Sequence, residues 1–327
     1  MLTTFMITVL LILIILNGMT QYAFRQITQM KLQTDDNIFS NLEKAGVFSR
    51  EQFNNLAKKE VRITSIDGLR LSGYVLESHP ESSRWAIIVH GYTVSLHVST
   101  QYIDMFERKG FNVLLIDQRR HGNSQGKYTT YGFMEKYDVE CWVNWIIEHY
   151  GENSVIGLHG QSVGGGTVIE YLSIAHPNVK FVVAECPYSD LTELLRHQIK
   201  VLNNLPVYPL LPLVNIQMQK RAGFRMQQVS PLRAVRYSSM PLLLIHGTQD
   251  NFVPTHMSQS LYEHKKGPKR LLLIEGAGHA NAYAVDPQRY ADEVHALVQD
   301  TLGSLEEPEE VSAPLGDTEQ QAYLPSI

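Results

Sequence analysis

The stretch Ser154-Val155-Ile156-Gly157-Leu158-His159-Gly160-Gln161-Ser162-Val163-Gly164-Gly165-Gly166-Thr167 decides how this chain is read. Its apolar start, Ser154 to Leu158, predicts a buried strand, and a helix-like stretch opens at Gly165-Gly166-Thr167. Between them stands a serine framed by glycines, Gly160-Gln161-Ser162-Val163-Gly164. A strand that turns directly into a helix has no room for side chains at the flanks of the turn, and the strain lifts the central hydroxyl clear of the sheet. The pentapeptide alone is weak, since average Gly and Ser usage gives it by accident roughly one time in ten in a chain this long. Its weight comes from what lies downstream.

Pro241 to Gly247 reads as a buried strand, and the turn Thr248-Gln249-Asp250-Asn251 that ends it delivers a carboxylate, Asp250. Arg270 to Glu275 reads as a further buried strand, and its exit loop, Gly276-Ala277-Gly278-His279, presents an imidazole. Serine, acid and histidine therefore occur in that order, each just past the end of an expected parallel strand. Open parallel sheets bind their ligands at that edge.

The chain has 327 residues, 44% hydrophobic and 19% charged, with a net charge of −5. Its Lys and Arg residues are scattered, with no basic stripe interleaved with aromatics, which argues against a nucleic-acid surface. Two cysteines, Cys141 and Cys186, support neither a disulfide framework nor a cysteine metal site and read as buried thiols. No metal or cofactor is expected. Gly164-Gly165-Gly166 lacks the Lys-Ser or Lys-Thr of a phosphate loop.

The N-terminus differs in kind. Residues 1–24 carry no charged side chain, and Phe5 to Leu16 is almost unbroken apolar sequence. At 1.5 Å per residue this helix is about long enough for a ~30 Å hydrocarbon layer. A cleaved signal peptide is the alternative, but no Lys or Arg precedes the apolar run and no small-x-small site follows it. The expectation is an uncleaved transmembrane anchor, 1–24, with Arg25 and Lys31 favouring a cytoplasmic catalytic domain. Residues 25–59 read as a polar, partly helical connector, and residues 305–327 as an acidic disordered tail.

Within the folded unit, 60–304, Val61 to Thr64 and Leu69 to Val75 alternate in period two around Asp67-Gly68, predicting an antiparallel hairpin. Buried strands then alternate with helices. That pattern means an α/β fold with a mostly parallel sheet covered on both faces. One stretch, about 190–230, is far longer than a crossover helix requires. Its aliphatic, proline-rich character reads as a cap over an apolar acyl pocket, the alternative being a crossover that merely packs.

With His90-Gly91-Tyr92-Thr93 added to the elbow, Asp250 and His279, residues 60–304 resemble the α/β-hydrolase superfamily. The order Ser, Asp, His is that of this superfamily and differs from the chymotrypsin and subtilisin orders. Asp117-Gln118-Arg119-Arg120-His121-Gly122-Asn123-Ser124, Tyr131-Gly132-Phe133 and Cys186-Pro187-Tyr188 are similar to bacterial membrane-anchored hydrolases of the YqkD type, in the serine-aminopeptidase-like and acyl-thioesterase-like branch. The resemblance implies a nucleophile at Ser162, a base at His279, an orienting acid at Asp250, and an oxyanion hole from the backbone N–H groups of Tyr92 and Val163. It further implies a serine hydrolase acting on a small acyl substrate, an ester, thioester or amide.

Alternatives stand beside each of these expectations. Asp190 follows the strand after the elbow, where some relatives place the acid. His90, His159 and His246 read as structural hydrogen-bonding histidines, and Asp117 with Arg119, Arg120 and His121 as a charged turn network. Aminopeptidase activity would need a site for a free amine, which Glu193 is placed to supply. A non-catalytic scaffold is the reading from another class.

Overall fold

The computed structural model describes residues 1–306, so the part of the expected acidic tail from residue 307 onward lies outside the described residues. Eight strands form one sheet: β1 (Lys59–Thr64), β2 (Arg70–Leu76), β3 (Arg84–Val89), β4 (Asn112–Ile116), β5 (Val155–Gln161), β6 (Val179–Glu185), β7 (Leu242–Gly247) and β8 (Lys269–Ile274). Their order across the sheet is β1-β2-β4-β3-β5-β6-β7-β8. The expected hairpin is β1 and β2, with Asp67-Gly68 in its turn. Strand β2 also runs antiparallel to β4, and every pair from β4 onward is parallel.

The continuous apolar strands bury both faces. Trp85, Ile87 and Val89 of β3 face a core with Trp142, Val143 and Val168. Ala86 and Ile88, on the other face, meet Phe106, Phe111 and Val294. This period-two split needs helices on both sides, and a strand of this kind cannot alternate polar with apolar. Strand β3 lies between β4 and β5, so the chain leaves it on one side and returns on the other. That reversal opens the crevice in which the loops after β3 and β5 meet.

Between β6 and β7 the chain makes the long excursion expected from its length. It includes the helices Leu191–His197, Leu210–Gln217 and Pro231–Tyr237, joined by irregular turns. Leu194, Leu211, Val214 and Met218 from this segment pack over Val163, Tyr131 and Tyr188. The cap therefore covers the carboxyl edge of the sheet.

The structure adds two features to the N-terminal region. The apolar helix runs from Leu2 to Thr28, past residue 24, and its last turns bury Thr20, Phe24 and Thr28. Phe24 enters the same apolar cluster as the cap. Residues 25–59 are also more than a tether. The helices Asp35–Lys44 and Arg50–Asn55 are capped by Thr34 and Ser49, and they bury Ile38, Phe39, Leu42 and Phe53 against Tyr74 and Val98. Few apolar residues in a polar stretch suffice when helical spacing puts them on one face.

Deleting the fully buried Phe24 ring should therefore cost about 3–5 kcal/mol. Phe5→Ala, on the exposed part of the same helix, should stay within about 0.5 kcal/mol. Urea unfolding of both variants of the full chain in detergent measures the contrast, and equal destabilisation would contradict the docking of the helix end.

Candidate active site

The elbow is built by close backbone approach. Ser162 caps the helix Val163–Tyr171 with φ +56° and ψ −114°, an unfavourable backbone for a residue with a side chain. The helix starts at Val163, two residues earlier than its sequence pattern suggests, because the serine itself is the junction. A Cβ at Gly160 would lie 2.2 Å from the Gly164 carbonyl oxygen, and one at Gly164 the same distance from that of Val89. Glycine at both positions is a steric requirement. The Ser162 N–H donates to the Glu185 carbonyl at 2.8 Å and the Gly166 N–H to the Ser162 carbonyl at 2.9 Å, which fixes the turn.

Ser162, His279 and Asp250 come together. Ser162 Oγ is 2.9 Å from His279 Nε2, and His279 Nδ1 is 2.7 Å from Asp250 Oδ2. The carboxylate accepts a hydrogen bond from Nδ1–H, which leaves the Nε2 lone pair to accept the serine hydroxyl. Asp190 does not join them. Its carboxylate caps the helix Leu191–His197, accepting from the N–H groups of Thr192 and Glu193. Glu193 is half exposed and pairs with His256 at 3.3 Å.

The acid is held more tightly than its sequence position reveals. Asp250 Oδ1 accepts the N–H groups of Phe252 and Val253, each at 2.9 Å. His246, read from sequence as merely structural, places Nε2 3.1 Å from Asp250 Oδ2, while its Nδ1 meets Ser258 Oγ at 2.6 Å. Burial alone would raise the Asp250 carboxyl, but the hydrogen bonds from His246 and His279 outweigh it and hold the group well below the usual carboxylate range. The spacing of four between His246 and Asp250 was the available signal.

The loop after β3 is set by two buried, neutral histidines. His90 donates from Nδ1 to the Gly91 carbonyl at 2.7 Å and accepts the Gln118 N–H at Nε2, 3.0 Å. Burial keeps its pKa well below the usual histidine range. His121 donates from Nδ1 to the Arg119 carbonyl and accepts the Thr93 N–H at 3.3 Å, with its pKa pushed down by burial to about 4. The Tyr92 ring packs against that of His121 at 5.7 Å. Among the described residues neither the Tyr92 N–H nor the Val163 N–H has a hydrogen-bond partner.

The Tyr92 side chain reaches the end of the N-terminal helix. Its hydroxyl accepts the Met30 N–H at 3.0 Å and donates to the Gln26 carbonyl at 3.3 Å. The Gln33 N–H donates to the Thr93 carbonyl at 2.7 Å.

Two polar networks complete the surroundings. Arg119 makes a double ion pair with Asp138, both bonds 2.7 Å, and reaches Asp67, while Asp117 accepts the N–H groups of Leu96 and Asn123. Burial raises the Asp117 carboxyl to about 7. Arg120 is half-buried and donates to the Met30 carbonyl. Behind the elbow, Glu185 is fully buried and accepts from Tyr102, Tyr290 and the Ala282 N–H. His159 joins through Tyr290, and Gln161 through Tyr102. Sequence reading did not identify Glu185, whose position at the end of β6, one strand from the elbow, was the signal.

One set of potential metal donors occurs among the described residues, Cys186 with Asp250 and His279. The carboxylate and imidazole already engage each other at 2.7 Å, and the Cys186 thiol is buried and raised well above its usual pKa by that burial. The arrangement suits proton transfer better than cation binding.

Known proteins carry similar features. A family model described as the alpha/beta hydrolase fold matches residues 84–212. The protein YqkD of Bacillus subtilis (strain 168) is 33% identical over 279 residues, 85% of this chain and 91% of that protein. The esterase Pf2001 of Pyrococcus furiosus superposes with a TM-score of 0.62 at 28% identity, covering 78% of this chain and 97% of its own. An acylaminoacyl peptidase of Pyrococcus horikoshii gives 0.58 at 18% identity, covering 80% of this chain and 44% of its own, a likeness of fold alone.

The depressed Asp250 carboxyl has a pH consequence. A carboxylate with a folded pKa below its unfolded value of about 3.9 stabilises the fold fully above that pH and loses the contribution as pH falls towards the folded value. The stability difference between wild type and Asp250→Asn should be largest above about pH 4 and shrink below it. Denaturant titrations from pH 7 down to pH 3 measure this, and a difference independent of pH would contradict it.

Proposed function

This chain belongs to the α/β-hydrolase family, and from that premise we propose a serine hydrolase that cleaves an ester, thioester or amide and is held at a membrane by its N-terminal helix. The observation that carries the proposal is the continuous line from Ser162 Oγ through His279 to Asp250, with hydrogen-bond distances of 2.9 and 2.7 Å.

In this reading His279 Nε2 removes the Ser162 proton as Oγ attacks the carbonyl carbon. The carbonyl oxygen becomes an oxyanion, met by the free N–H groups of Tyr92 and Val163. The imidazolium, stabilised by Asp250, gives its proton to the leaving group as the tetrahedral adduct collapses, which leaves an acyl ester on Ser162. Water then repeats the sequence through the same imidazole and frees the acid and the serine.

Ester or thioester cleavage is favoured over aminopeptidase activity. Val163, next to Ser162, shares one buried apolar cluster with Tyr131, Met257 and the cap aliphatics, and Glu193, the candidate amine partner, is engaged by His256. The Pyrococcus furiosus relative at 28% identity is an esterase. A scaffold that only binds has no physical need of an imidazole aligned between a strained serine and a buried carboxylate.

The burial of Thr20, Phe24 and Thr28 supports an anchor over a removable leader, because the helix passes from exposed apolar surface into the core without a break. Arg25 and Lys31 favour a catalytic domain on the cytoplasmic side.

Ser162→Ala should abolish fluorophosphonate labelling and turnover of an ester and thioester panel. His279→Ala should cost about as much, and Asp250→Asn roughly 10⁴-fold in kcat. Asp190→Asn should stay within about twofold, since Asn caps a helix as well as Asp. Labelling retained at another serine would overturn the assignment, and a larger loss at Asp190 than at Asp250 would move the acid. The full chain should also remain in the membrane fraction through high-salt and carbonate washes, and a mature N-terminus mapped beyond about residue 20 would instead identify a cleaved leader.

A further inference from the structure

The cap differs from the rest of the chain in charge. Past Asp190 and Glu193 at its start, the cap with the helix that closes it, residues 194–241, contains seven basic side chains and no acidic one, in a protein whose net charge is −5. All seven are exposed, Lys200, Lys220, Arg221 and Arg225 among them. The ion pair that involves the cap joins Glu193 to His256, and among the described residues none of the seven cations takes part in one. Between Lys200 and Lys220 lie large apolar side chains left in solvent: Val201, Leu202, Leu205, Tyr208 and Ile216. Scattered exposed apolar residues are ordinary. A run of them inside an unpaired basic segment is not, and the combination is that of a surface which meets an anionic bilayer.

The depth of the N-terminal helix places the cap at that surface. The exposed apolar part, Leu2 to Met19, rises about 27 Å at 1.5 Å per residue, close to the ~30 Å of a hydrocarbon core. The turns that follow, Thr20 to Thr28, then stand at headgroup level, and the cap grips them. Leu210, Leu211, Val214 and Met218 share one apolar cluster with Met19, Ala23, Phe24 and Ile27. Arg221 lies over the Phe24 ring at 5.5 Å. Tyr208 immediately precedes this gripping segment and Ile216 lies within it, so their exposed side chains have little freedom to leave the membrane plane.

We infer that this cap face is a second membrane-contacting surface, in which Val201, Leu202, Leu205 and Tyr208 dip into the leaflet next to the anchor and the cap Lys and Arg side chains bind its anionic headgroups. The inference rests on the membrane-anchor reading of the N-terminal helix. Ser162 lies beneath this cap, so the surface sets the path by which substrate reaches it.

The test uses the full chain in vesicles of phosphatidylcholine with phosphatidylglycerol. An environment-sensitive fluorophore is placed at Leu205→Cys, in a Cys141→Ser background, and quenched with doxyl-labelled lipid. Glu263→Cys, exposed on the helix His256–His264 outside the cap, is the control. Quenching at 205 should be at least about twofold stronger than at 263, and should fall by about half in pure phosphatidylcholine or when Lys200, Lys220 and Arg225 are changed together to Gln. Equal quenching at the two positions overturns the proposal, and quenching insensitive to both lipid charge and the triple substitution overturns its electrostatic half. Vesicle flotation of the same samples reports the anchor, and fluorophosphonate labelling reports Ser162, so failure of either underlying reading is seen separately.

Discussion

The backbone at Ser162 is the constraint on which the site depends. A side-chain-bearing residue at φ +56° and ψ −114° costs of order 1–3 kcal/mol and persists only where its surroundings over-determine it. Here they do. Strand β5 enters the turn from the centre of the sheet, the following helix leaves it packed against β6, and glycines 160 and 164 let carbonyls approach where a methyl group would collide. Every other functional feature is arranged around the point in space that this turn assigns to one hydroxyl.

Burial is used twice around that hydroxyl, with opposite electrostatic results. At His90 and His121 it keeps imidazoles neutral, so each ring has one donor and one acceptor and can bridge two backbone groups of the loops it supports. At Asp250 the same low-dielectric setting favours the charged form, because two imidazoles and two backbone N–H groups converge on the carboxylate. Desolvation sets the cost of a charge, and the number of donors aimed at it decides whether that cost is met.

The N-terminal helix is coupled to this arrangement through the Tyr92 hydroxyl and the Thr93 carbonyl. The loop after β3 that carries Tyr92 is thereby fastened to the last turn of the helix and the residues just after it. An apolar segment that composition marks only as a membrane element is also part of the wall around the site. Its Phe24 ring is fully buried in the apolar cluster of the cap.

How much of this was legible in sequence follows from the range over which each signal acts. The strands were readable because both faces of a parallel sheet are buried, which forces unbroken apolar runs, and the elbow because local sterics demand glycine at fixed offsets. The order Ser162, Asp250, His279 was readable since each group follows its own strand. The packing of residues 25–59 was not, because Ile38, Phe39 and Phe53 are few and their partners lie far along the chain. The roles of His246 and Glu185 were hidden for the same reason, since a buried polar group is defined by what surrounds it. Sequence by itself determined the strands, the elbow and the order of Ser162, Asp250 and His279 past their strands, all products of local sterics and periodic burial. Only the tertiary structure decided that Asp250 and not Asp190 faces the imidazole, and that the apolar helix ends inside the cap, because both depend on distances between segments that the linear chain leaves free.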